Sequence, residues 1–230
     1  MTYYKLLLTT YMSFLCLFST ASGTTFWVEE NTLLDYSYII EENEVVITGY
    51  SGKESIIIIP FEIEGLPVTK IAEYAFEEDL NQTSSPLYVV IPNGIKEIQR
   101  GAFSRSSIRH IFLPTSLEAI GDWAFANSDI VSIHIPSSVS FLGEGVFSGC
   151  TQMQNVTLSA KISLLPYRTF FECINLQNAN LPVELCEISE EAFYYCISLR
   201  ELTLPKKVET IHETAFALCL PELVHAITNR

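Results

Sequence analysis

The sequence predicts a mainly β solenoid of about seven coils, each of 22 or 23 residues, with a face of parallel strands and little α-helix. Three observations carry that reading. Pro92, Pro114 and Pro136 lie 22 residues apart, and the same slot then falls on Ser159, Pro182 and Pro205 at intervals of 23. Eleven residues after each slot stands a phenylalanine: Phe103, Phe125, Phe147, Phe170, Phe193 and Phe216. Three residues further on comes a small side chain: Ser106, Ser128, Cys150, Cys173, Cys196 and Cys219. A unit this short cannot bury its own apolar side chains, so successive units must stack and share one core.

Each segment of a coil follows from its pattern. In Ser132-Ile133-His134-Ile135 apolar and polar residues alternate, which is strand periodicity with Ile133 and Ile135 turned inward. Pro136 closes the strand because it cannot donate to a ladder. Val139 and Leu142 bring the chain back along the other side, and Gly121 and Gly143 read as tight bends. Phe147 fills the widest part of the interior.

Along the chain, Lys5, the apolar run from Leu6 to Phe18 and the small residues of "STASG" read as an export signal over residues 1–23. The run is short for a bilayer span, which needs about 20 apolar residues, so no integral membrane segment is expected after its removal. Residues 24–79 read as an N-terminal cap and a first, irregular repeat. There "IIIIP" ends at Pro60 but Phe76 follows sixteen residues later, so "EIEGLPV" holds an insertion. A second insertion, "EEDLNQTSSP", precedes the regular repeats of residues 80–219, and residues 220–230 read as a small end cap.

The segments "LRELTLPKKVETIHETAFALC" and "IRHIFLPTSLEAIGDWAF" resemble the BspA-like, or treponemal-type, leucine-rich repeats, and the resemblance runs from about Tyr38 to Cys219. It implies a leucine-rich-repeat solenoid in an exported or surface protein, and a role among adhesins and partner-binding proteins. The fifth coil departs from the pattern, with Ser159 for proline and Pro166 for glycine.

Charge narrows the partners. The formal net charge is −14, and residues 26–79 hold thirteen acids against Lys53 and Lys70, so the chain offers no basic surface for nucleic acid. The four cysteines of the small slot form a column with rungs about 4.8 Å apart. They read as buried free thiols or as a disulfide between neighbours, whereas a linear column does not converge on a zinc ion. Cys186 is the odd thiol, in an outward slot. No nucleophile elbow, H-E-x-x-H, phosphate loop or Cys-x-x-Cys occurs, so neither an enzyme nor a cofactor site is expected. Asn81 and Asn155 begin N-glycosylation triplets.

The expected function is therefore an exported binding module that presents its strand face to a protein or glycan partner. The alternative is a ligand-free spacer of the cell envelope. The outward strand slots Ile56 and Ile58, Tyr88 and Val90, His110 and Phe112, and Ser132 and His134 make the candidate partner surface. Aromatic residues without a folding duty point to contact with something. The competing reading of this apolar end is that the segment Phe26–Ile40, or the inserted loop, covers it as a cap. The leader makes a first prediction. N-terminal sequencing of secreted protein is expected to start near Ser22–Thr24; extracellular protein with Met1 intact would contradict the export signal.

Overall fold

The computed structural model describes residues 33–77 and 87–228. The leader, Asn81 and the greater part of the inserted loop lie outside the described residues. The chain winds as a parallel β solenoid of about seven turns. One face is built from β3 (Ile56–Ile58), β6 (Leu87–Val90), β8 (Ile108–Phe112), β10 (Ser132–His134), β12 (Asn155–Thr157) and β14 (Asn178–Asn180). Neighbours pair in parallel, with Ile57 beside Val89, Val89 beside Ile111, and Val156 beside Ala179. The alternating pattern sets which side chains turn in: Ile57, Val89, Ile111, Ile133 and Val156 are buried.

The returning side has its own short strands. They run from the six-residue β5 (Leu66–Ile71) through the two-residue strands β7 (Glu97–Ile98), β9 (Ala119–Ile120), β11 (Phe141–Leu142), β13 (Leu164–Leu165), β15 (Glu187–Ile188) and β16 (Thr210–Ile211). The residue after each strand donates its N–H to the coil before: Gly121 to Ile98 O at 2.8 Å, Gly143 to Ile120 O at 2.8 Å, and Ser189 to Leu165 O at 3.0 Å. Proline at position 166 has no N–H to give to Leu142, and there the sheet divides between β11 and β13. The departure noted in the fifth coil thus removes one ladder bond and leaves the winding intact. Gly121 and Gly143 are not bends in the left-handed region. Their role is close approach: a Cβ would lie 2.8 Å from Arg100 N at Gly121 and 2.3 Å from Asp122 N at Gly143.

The phenylalanines form a third ladder. Phe103, Phe125, Phe147 and Phe170 stack with centroids 5.5, 5.6 and 5.6 Å apart and ring planes within 6°. Their amides donate to the next coil, Phe103 to Ala124 O, Phe125 to Val146 O and Phe147 to Thr169 O, at 2.8 to 3.0 Å. Two residues before and two after each of these four rings, the backbone adopts positive φ, as at Trp123, Arg168, Asn127 and Glu172. These residues also donate to the next coil, so the sharp turn supplies three inter-coil bonds where a helix would supply none. In the column before the rings, bulky side chains alternate with glycine, since a Cβ on Gly145 would sit 2.3 Å from the Trp123 ring.

The small slot is a hydrogen-bonding position. Cys150, Cys173, Cys196 and Cys219 are free and buried, and each thiol donates to a phenylalanine carbonyl of the preceding coil, at 3.0 to 3.1 Å. Burial pushes the Cys150 and Cys219 thiols up to about 11 and those of Cys173 and Cys196 well above the ordinary range. Cys186 is free and exposed, as its outward slot implied.

Both ends differ from the regular coils. β1 (Tyr36–Glu41) and β2 (Glu44–Tyr50) form an antiparallel hairpin, and β2 adds in parallel to β5. β4 (Glu62–Ile63) makes a second small hairpin with β5 inside the "EIEGLPV" insertion. Both turns have two residues at positive φ, Glu42–Asn43 and Glu64–Gly65, which matches the right-handed twist of the strands they join. Tyr50 carries the ring column onward, 5.9 Å from Phe76. At the other end, helix α1 (Pro221–Thr228) buries Leu223 and Ile227 against the core.

The thiol column makes the fold sensitive to alkali. A thiol whose folded pKa is raised contributes stability that is complete below its unfolded value, near 8.5, and that is lost as pH rises through its folded value. Denaturation midpoints are expected to hold up to about pH 8.5 and to fall steadily toward pH 11, less steeply in Cys150→Ser. In native protein at neutral pH, a maleimide is expected to label Cys186 and to spare the four column cysteines, as read by peptide mapping. Rapid native labelling of Cys150 or Cys173 would contradict the packing.

Candidate functional site

The strand face holds the candidate residues in two groups. Parallel register sets Ile56 beside Tyr88 beside His110, and Ile58 beside Val90 beside Phe112. Ile56, Ile58, Tyr88, Val90 and His110 are half-buried, because large side chains on adjacent strands cover one another. The Tyr88 and His110 rings stack with centroids 4.8 Å apart. Burial of the His110 imidazole, together with the nearby Arg109 charge, holds its pKa below the usual histidine range, so the ring is neutral at neutral pH. Phe112 is 50% exposed.

Ser132 and His134 belong to the next group and are exposed. They stand on β10, which pairs with β12 and not with β8. The N–H that follows each strand normally bonds across to the next coil, as from Ile91 to Phe112 O and from Ile135 to Thr157 O. Between Leu113 and His134 that bond is missing. The face is split there by a shallow groove of about 370 Å³, with His110 and Phe112 on one bank and Ser132, His134, Asn155 and Thr157 on the other. The structure therefore brings the first six candidates together in one sheet and sets the last two across a groove from them.

Beyond the groove the outward side chains bond to one another from coil to coil. Asn178 Nδ2 donates to Asn155 Oδ1 at 2.8 Å, Asn155 Nδ2 to Ser132 Oγ at 3.3 Å, and Asn180 Nδ2 to Thr157 Oγ1 at 3.3 Å. Amide and hydroxyl groups at the same offset in successive coils were the available signal. Asn155, the second glycosylation candidate, is thus tied into a side-chain ladder on both sides, and its amide is exposed.

The described end of the cap segment runs elsewhere. Tyr36–Ile40 lies in the hairpin that extends the returning sheet, and the Tyr36 hydroxyl donates to Ile58 O on the strand side at 3.0 Å. Residues 26–32 lie outside the described residues. Glu191, one of the adjacent acids at 190 and 191, is paired with Arg168 at 2.5 Å, and the Arg168 guanidinium lies over the Tyr167 and Phe171 rings. A second groove of about 340 Å³ lies at the last coil beside α1, lined by Ile211, Phe216, Leu218 and Ile227. No described helix is long and apolar enough to cross a membrane.

Comparison with known proteins agrees with this geometry. The profile of the BspA type leucine-rich repeat region matches residues 69–185 and 152–223, in six copies. Among solved structures, the leucine-rich repeat protein of T. pallidum superimposes with a TM-score of 0.60 at 26% identity, covering 74% of this chain and 91% of that one. The pneumococcal vaccine antigen PcpA also has a TM-score of 0.60, at 22% identity, over 82% of this chain; the match spans 50% of the antigen. A leucine-rich repeat protein from Eubacterium ventriosum follows with a TM-score of 0.53 at 20% identity, over 79% of this chain and 50% of its own. No curated protein matches the sequence. The matched family is a repeat-scaffold family. With the match covering most of its length and its coils wound as the family's are, the chain belongs to the BspA-type leucine-rich repeat family.

Proposed function

We propose that the chain is an exported, adhesin-like binding module that offers its strand face to a protein or glycan partner at the cell surface. The observation that carries this is the groove at the split between β8 and β10. It is the place where an aromatic bank and a row of amides and hydroxyls meet on one exposed surface. The regular coils hold that surface in place, since the inward slots are committed to the core. Family membership supports a scaffold that binds rather than reacts. The surface setting is supported by the leader pattern and by likeness of fold to a pneumococcal protein that is a vaccine antigen.

In this reading residues 1–23 are removed and residues 24–79 form the cap with the first repeat. Residues 80–219 carry the binding surface, and residues 220–230 close the other end. The partner surface is Ile56, Ile58, Tyr88, Val90, His110, Phe112, Ser132 and His134.

The test is affinity capture on immobilised residues 24–230 from cell-envelope and host extracts, with the captured partner then titrated against variants. Tyr88→Ala and His134→Ala are expected to remain folded, the former with a lowered melting temperature because its ring packs on His110, and to weaken binding at least about tenfold, as central interface residues do. Unchanged affinity in both would move the site off the strand face. Repeated failure to capture any partner would favour the ligand-free spacer.

A further inference from the structure

We infer that the partner of the strand face is a neutral polysaccharide, an inference that rests on the strand-face reading above. Charge is the first argument. The chain carries a net charge of −14, yet the outward slots from β3 to β14 hold no carboxylate, lysine or arginine, apart from Arg109 at the bulge of β8. His110 is held neutral by burial. A polyanion finds no row of bases here, and a basic partner finds no acids. The surface that avoids charge in an acidic protein suits a ligand that has none.

Hydrogen-bonding capacity is the second argument. Within the ladder, Asn178 gives one N–H to Asn155 and Asn155 gives one to Ser132. Each amide has two N–H donors and an oxygen with two lone pairs, so every asparagine keeps both a donor and an acceptor turned to solvent. A sugar hydroxyl is also both donor and acceptor, and adjacent hydroxyls match the two ends of one amide. The ladder bonds hold the amides in fixed orientation, which lowers the ordering cost of binding.

The aromatic bank is the third. Across the groove the outer side of the His110 ring, backed by Tyr88 at 4.8 Å, and the exposed Phe112 ring offer an uncharged aromatic surface against which the C–H face of a pyranose can pack. Ring on one bank and amides on the other is a site for a molecule with an apolar face and a polar edge. Asn155 and Asn178 repeat the amide on adjacent coils at about the 4.8 Å strand spacing, so a repeating ligand gains a contact at both rungs.

Affinity electrophoresis of residues 24–230 through gels containing laminarin, yeast mannan, dextran or galactan tests this, with alginate as the polyanion. Retardation is expected in at least one neutral polysaccharide, unchanged between about 0.05 and 0.5 M sodium chloride because no ion pair is involved. Asn178→Ala is expected to weaken it about three- to tenfold, the loss of one or two hydrogen bonds. Tyr88→Ala is expected to weaken it further, with both variants still folded by circular dichroism at the temperature of the assay. Mobility unaffected by all four neutral polymers, or binding to alginate alone, overturns the glycan inference. The two readings separate through a captured protein. If a protein partner loses affinity with Tyr88→Ala while no polysaccharide binds, the strand face stands and the ligand class falls. If neither responds to that variant, both fall.

Discussion

Stacking of one coil on the next through the phenylalanine turn is the interaction on which the rest of this structure depends. Phe147 contributes to it twice, by its ring and by its N–H, which bonds to Thr169 O at 3.0 Å. The positive-φ residues on either side turn two further N–H groups the same way, a backbone state that costs a non-glycine residue on the order of 1–2 kcal/mol. That cost is offset where the residue so placed gains an inter-coil bond, as Trp123, Asn127, Arg168 and Glu172 do, that an ordinary turn would leave to water. The cysteine thiols then satisfy the carbonyls of the same phenylalanines from the neighbouring coil. Ring, amide and carbonyl of one residue type are therefore all spent on the contact between coils.

With that contact in place, the two strand sides tolerate local breaks. Pro166 removes a ladder bond between β11 and β13, and the junction of Leu113 with His134 lacks one between β8 and β10. Neither gap disturbs the ring column, whose spacing stays at 5.6 Å across the coils concerned. A solenoid held along one edge can open on another, and the opening on the front is where the groove forms. The coupling from packing to function lies there: the binding face is free to be irregular because the turn edge is not.

Much of this was legible in the sequence because the period repeats one local solution. The proline, phenylalanine and small-residue slots located the coils, the buried rings and the thiol column. Their meaning between coils was less legible. Gly121 and Gly143 looked like bends, yet what they avoid is the backbone of the preceding coil, a neighbour 22 residues away. The terminal hairpin had its signal in Asn43, as the inserted one had in Gly65, both at the second position of a two-residue turn, but each turn occurs once and lies outside the period. On the face, alternation named the outward slots correctly. It did not say that Tyr88 would lie half-buried against His110 or that Asn155 and Asn178 would bond, since both depend on which side chains become neighbours across coils.

The central claim is that each coil is stable only through its neighbours, and hydrogen exchange on Phe147→Ala measures it most directly. Large-to-small changes of this kind cost about 3–5 kcal/mol. The account predicts that amide protection falls most at Phe125, Phe147 and Phe170 and recovers with distance toward Phe103 and Phe216, while the intact protein protects all of these amides alike up to the terminal coil. A loss confined to residue 147, or protection unchanged throughout, would contradict it.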